Sequence, residues 1–113
     1  MKNLQTFCDS PNIDVLVSKQ AEEITGMMVL VIQPNVLGPG LFAAEQYFYV
    51  LPKYRGMAGI RLMDAADEWA KDRGCSHLAM SASKAASKLF DKVCKLYEFR
   101  GMVPIETAYI KQL

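Results

Sequence analysis

Tyr47-Phe48-Tyr49-Val50-Leu51-Pro52-Lys53-Tyr54-Arg55-Gly56-Met57-Ala58-Gly59-Ile60-Arg61-Leu62-Met63 reads as a strand that stops at a proline, a short basic loop with two glycines, and the start of a helix. A strand–loop–helix joint aims several backbone N–H groups at one point, at the positive end of a helix dipole. Such a point can hold phosphate. Glycine lets the backbone come close because no Cβ intervenes, and Lys53 and Arg55 add full positive charges. The loop matches neither G-x-x-x-x-G-K-[ST] nor G-x-G-x-x-G. Its plain alternative is an ordinary strand-to-helix turn with solvated cations.

Downstream, Asp64 to Gly74 completes the helix. Leu62, Met63, Ala66, Trp69 and Ala70 recur at helical spacing and form one apolar face. Gly74 stands where a left-handed C-cap is wanted. Cys75 to Ala82 alternates loosely and is expected as a buried strand. Ser83 to Phe99 is expected as a second helix, with Leu89, Val93, Leu96 and Tyr97 on one face. Gly101 ends it, and Val103 to Leu113 is expected to give one or two closing strands.

Upstream, Ile13 to Val17 alternates as a strand, Glu22-Glu23 mark a turn, and Ile24 to Gln33 is a longer strand. Breakers from Pro34 to Gly40 precede the strand Leu41 to Leu51 that feeds the basic loop. Hairpins followed by helix, strand, helix and strand make a mixed α/β (α+β) domain spanning residues 1–113. About a dozen residues lie before the first clear strand.

The composition excludes several classes. A chain of 113 residues, 51% hydrophobic, is the size of one domain with a core. A net charge of +1 argues against nucleic acid or an anionic membrane as partner. No apolar run is as long as the ~20 residues of a membrane span, and no apolar segment follows Met1-Lys2-Asn3-Leu4 as in a signal peptide. A cytoplasmic location is expected. Cys8, Cys75 and Cys94 lack C-x-x-C spacing, and His77 is the single histidine. Neither a metal centre nor a disulfide framework is indicated. Packing in a buried strand is the expected role of His77.

Lys53-Tyr54-Arg55-Gly56-Met57-Ala58 resembles the pyrophosphate loop of GNAT N-acetyltransferases, [RQ]-x-x-G-x-[GA], with lysine in first place. Lys95-Leu96-Tyr97-Glu98-Phe99-Arg100-Gly101-Met102-Val103-Pro104 resembles that family's L-Y-E-x-x-G-F-x-P segment, with Met102 for phenylalanine. The resemblance implies a mostly antiparallel sheet flanked by helices, here with a shortened N-terminal part. It implies transfer of an acetyl group from acetyl-CoA to an amine by direct attack in a ternary complex. Val50 and Leu51 would pair backbone groups with the pantetheine arm. Lys53, Arg55, Gly56, Met57, Ala58 and Gly59 would hold the pyrophosphate. Glu45 stands where some members carry the general base, and Tyr97 matches their general acid. A solvated strand carboxylate and a helix-face tyrosine are the plain alternatives.

Two departures stand out. Phe90 replaces a common CoA-contacting asparagine, seven residues before Tyr97. The usual N-terminal helices lack room, so a second copy of the chain is one candidate cover for the sheet. The same departures fit another reading, a GNAT-like module that binds a protein partner without catalysis. Short chains of this kind occur in bacteriophage genomes. The acceptor amine is left open.

Overall fold

A computed structural model describes residues 2–6, 12–34, 38–82 and 89–113. They form two compact units, residues 1–81 and 82–113. In the first, five strands stand in chain order across one sheet: β1 (Lys2–Thr6), β2 (Ile13–Gln20), β3 (Glu23–Pro34), β4 (Leu41–Val50) and β5 (Cys75–Ala79). β1 to β4 are antiparallel neighbours, and β5 lies parallel to β4. A parallel neighbour needs a crossover, which a tight turn cannot supply. Here the 3₁₀ turn Pro52–Tyr54 and helix α1 (Met57–Asp72) make it. This is the expected mixed, mostly antiparallel α/β arrangement.

α1 has 16 residues and is about 24 Å long. Its apolar stripe is the expected one: Leu62, Met63, Ala66, Trp69 and Ala70 are all buried. Beneath it lie Leu16, Met28 and Leu30, which face α1 from β2 and β3. Gly26 marks the tightest approach. A Cβ there would sit 3.1 Å from Leu62 Cδ1, from the Tyr49 carbonyl and from Val50 Cγ2. One buried polar cluster ties the helix to the sheet. Asp14 Oδ2 accepts from Trp69 Nε1 at 2.9 Å and pairs with Arg73 at 3.3 Å, while Asp14 Oδ1 takes the Val15 N–H. The Arg73 guanidinium lies 4.3 Å from the Trp69 ring centre.

Three expectations are corrected. A strand, β1, lies within the dozen residues read as preceding the first one. Lys-Asn-Leu-Gln-Thr has little strand signal of its own, and pairing with Leu16–Gln20 makes it a strand. β5 is an edge, not a buried strand: Ser76 and His77 are exposed. α1 packs against one side of β5, and among the described strands only β4 pairs with it. Third, no strand forms over residues 102–113. A strand is defined by its ladder partner, and Pro104 has no N–H to give one.

The second unit contains α2 (Phe90–Phe99), shorter than the helix expected from Ser83; residues 83–88 lie outside the described residues. Its end is as expected. Gly101, at φ +86°, donates to the Glu98 carbonyl, and Met102 donates to that of Tyr97, which is a Schellman cap.

Candidate functional site

The site begins with a mismatch in β4. Val29 pairs with Tyr47 and Leu30 with Glu45, so Gln46 has no partner on β3. An extra residue of this kind bends its strand. On the other side, β4 and β5 pair only from Leu41↔Cys75 to Ala44↔Ala79. From Glu45 onward the strands part, and this edge of β4 has no strand partner among the described residues.

β4 runs from this fork into the basic loop. The start of the loop is fixed from β3: the Leu51 N–H donates to the Thr25 carbonyl at 2.9 Å, and the Leu51 carbonyl accepts from Tyr54 N–H at 2.9 Å. Both backbone groups of Leu51 are thus used within the chain. Tyr54 anchors the loop further, its hydroxyl donating to Glu23 Oε1 at 2.8 Å. Arg55 Nε donates to the Val50 carbonyl at 3.1 Å, and its guanidinium lies 5.7 Å from the Tyr49 ring centre. Lys53 Nζ lies 5.5 Å from the Tyr54 ring centre. Lys53 and Arg55 are exposed.

Gly56 turns the loop into α1 at φ +98°, ψ −84°, a conformation that a side chain strains. It caps α1 without a side chain, and a Cβ built there would meet nothing within 4 Å. The first helical bond runs from Ile60 N–H to the Gly56 carbonyl at 3.0 Å. The amides of Met57, Ala58 and Gly59 therefore find no acceptor among the described residues, at the positive end of the α1 dipole. An open cradle of uncapped amides, flanked by Lys53 and Arg55, suits a pyrophosphate.

Glu45 stands at the fork. It is 8% exposed, so it is not the solvated strand carboxylate of the plain reading. Its Oε1 accepts from the Ser81 N–H at 3.0 Å and from the Ser81 hydroxyl at 3.3 Å. Burial pushes the carboxyl above its ordinary value, and the two Ser81 bonds pull it back only partly. A carboxylate raised in this way is better matched to taking a proton near neutrality.

The remaining sequence candidates divide. Val50 and the loop from Lys53 to Gly59 are contiguous with the fork in the first unit. Tyr97 belongs to the second unit and is the buried residue of α2. His77, expected to pack, is instead exposed, with Nδ1 2.8 Å from the Ser76 hydroxyl. A depression of about 130 Å³ lined by Asp67, Lys71, Cys75 and His77 lies by the last turns of α1, at the helix end away from the loop. Burial holds the Cys75 thiol above its ordinary value against the Arg73 charge, which disfavours a reactive thiolate. Sequence reading missed Ser81 and the Tyr54–Glu23 clasp. Both are long-range pairs with no local signal, although a glutamate in an apolar strand does ask for a donor.

A model of the acetyltransferase (GNAT) family matches residues 1–101. No curated protein matches the chain. A transcriptional regulator from Bacillus halodurans C-125 is 22% identical, with a TM-score of 0.78 over 93% of this chain and 69% of that one. A ribosomal-protein-alanine N-acetyltransferase from Brucella melitensis biovar Abortus 2308 is 18% identical, with a TM-score of 0.72 over 92% and 72%. An aminoglycoside acetyltransferase from an uncultured soil metagenomic sample is 14% identical, with a TM-score of 0.77 over 93% and 68%. At these identities the likeness is one of fold.

Proposed function

The chain belongs to the acetyltransferase (GNAT) family, and on that premise we propose that it is an N-acetyltransferase, moving an acetyl group from acetyl-CoA to an amine by direct attack in a ternary complex. The observation that carries this is one continuous feature. The edge of β4 that opens at Glu45 leads into the uncapped amides of Met57, Ala58 and Gly59. Acetyl-CoA would supply an activated acyl thioester with a thiolate leaving group.

The chain's own residues divide the work. The amides at the start of α1, with Lys53 and Arg55, bind the pyrophosphate. Arg55 keeps Nε on the Val50 carbonyl, so its terminal nitrogens are the ones that turn to phosphate. The edge of β4 at Val50 and Leu51 pairs with the pantetheine arm, through the backbone groups that Arg55, Thr25 and Tyr54 leave available. Backbone N–H groups on that edge stabilise negative charge developing on the acyl oxygen. Glu45 takes the proton that an amine must lose before it attacks, directly or through water. Tyr97 is assigned the proton that the thiolate needs, on its sequence motif. The reading treats residues 1–113 as one functional domain in the cytoplasm. Among the described residues no helix is long and apolar enough to cross a membrane.

The test is thermal unfolding with acetyl-CoA. A ligand that binds only the native state at ~100 times its Kd adds roughly 2.7 kcal/mol, a shift of several degrees for a domain of this size. Gly56→Asp places a carboxylate where it can cap the same amides and repel phosphate, so the shift should vanish. Gly56→Ala carries the same backbone strain without the charge and should keep it. An unmoved transition in the unaltered protein would end the acetyl-CoA assignment.

A further inference from the structure

We propose that Ser81 is the positioning residue of the base: its amide and its hydroxyl hold one oxygen of Glu45 and leave the other to take the proton. The inference rests on the reading of Glu45 given above. It starts from an asymmetry within the carboxylate. Oε1 has two donors, Ser81 N–H at 3.0 Å and Ser81 Oγ at 3.3 Å. Oε2 has no bonding partner among the described residues. Yet no buried side-chain oxygen or nitrogen in those residues lacks a hydrogen bond. Oε2 therefore reaches the surface.

The location of Ser81 explains why it can do this. The ladder between β4 and β5 ends at Ala44↔Ala79. Ser81 follows two residues later, where β5 has already left β4. Its amide is no longer used by the ladder, and the Glu45 side chain captures it across the fork. A glutamate has three rotatable bonds and would otherwise sample many positions. Two donors on one oxygen fix the carboxylate plane and so fix where Oε2 points. Both donors also favour the ionised form, against burial, which disfavours it. A base must start ionised, so the grip serves orientation and charge together.

Among the described residues, no other charge accounts for the behaviour of Glu45. β3 carries no titratable side chain from Ile24 to Ile32, the stretch that includes its partner Leu30. β5 presents Cys75 and His77, paired with Leu41 and Phe42 further along β4. Arg61 and Asp67 are the half-exposed titratable groups of α1. Among the described residues, burial and Ser81 displace the Glu45 carboxyl.

The experiment is a carboxyl-carbon NMR titration of Glu45 in the full chain, for the unaltered protein, Ser81→Ala and Ser81→Thr. No ligand is required. Ser81→Ala removes the hydroxyl and keeps the amide, so the Glu45 midpoint should move up. Ser81→Thr restores a hydroxyl and should bring it back. With an amine that supports release of CoA thiol from acetyl-CoA, the acidic limb of the rate profile should move up by the same amount in Ser81→Ala. The high-pH plateau should be largely kept. A Glu45 midpoint unmoved in Ser81→Ala, or moved equally in both variants, overturns the proposal. A midpoint that moves as expected, with acetyl transfer surviving Glu45→Gln, overturns the base assignment instead and leaves the grip standing.

Discussion

Glu45→Gln separates what the Glu45 carboxylate does for chemistry from what it does for the fold. The amide has nearly the same shape, and its Oε1 can still accept from Ser81 N–H and Oγ–H. The fork should therefore stay as it is. The proton acceptor is gone, however, and a positioned base is worth roughly 10²–10⁴ in rate, or about 2.7–5.5 kcal/mol of barrier. Stability should move the other way. Burial raises the Glu45 carboxyl above its ordinary value of 4.5, so the folded state favours the protonated form. That contribution to stability is fully present below the unfolded value and is lost as pH rises through the folded one. At pH 7 the native protein thus bears the cost of a buried charge, and a neutral amide does not. Glu45→Gln should equal or exceed the unaltered protein in urea unfolding at pH 7, and the difference should shrink on acidification. CoA-thiol release from acetyl-CoA, across amines spanning peptides, polyamines and aminoglycosides, reads the chemistry. Turnover within twofold of the unaltered protein would refute the base assignment. A clear loss of stability at pH 7 would refute the account of the buried charge.

Two further outcomes follow, one from a named contact cluster and one from a sequence motif. Asp14→Ala should cost about 2–3 kcal/mol in urea unfolding, mostly because Trp69 Nε1 is left buried without an acceptor, while the Arg73 pair, a third exposed on the arginine side, adds little. Unfolding within 0.5 kcal/mol of the unaltered protein would contradict that cluster's role. Tyr97→Phe should lower turnover at every pH while leaving the acetyl-CoA thermal shift unchanged, and intact turnover would remove Tyr97 from the mechanism.

What could be read from the sequence was what neighbouring residues decide together. The helical spacing of Leu62, Met63, Ala66, Trp69 and Ala70 located α1 and its buried face. Pro52 and Gly56 located the loop, because each restricts or frees the backbone at its own position. What failed depended on partners far along the chain. β1 exists because Leu16–Gln20 accept it, and residues 102–113 form no strand although several are apolar. His77 looked buried because an alternating apolar segment suggests an interior strand, yet β5 is an edge. The candidate site splits the same way. Glu45 was legible as a carboxylate before the loop, but its burial and its hold by Ser81, 36 residues later, were not.

One residue accounts for most of the site's geometry. In a regular ladder, side chains facing residues two apart on one strand come from residues two apart on its neighbour. Met28 and Leu30 are two apart, but they face Phe48 and Glu45, which are three apart. The surplus residue, Gln46, shifts the alternation of β4 by one. Phe48 can thus lie on the side toward α1, where its ring end is 3.8 Å from a Cβ built on Gly59, while Glu45 shares a row with buried Leu30. The bulge lies immediately past Ala44, the last residue of β4 that β5 pairs with, so the bend and the parting of the strands coincide. A continuous ladder would have used the peptide groups of β4 on both edges and sent residues 47–50 to the opposite faces. The extra residue thus places a carboxylate and a bare strand edge on the strand that leads into a glycine-capped helix start, and the proposed transferase site needs all three.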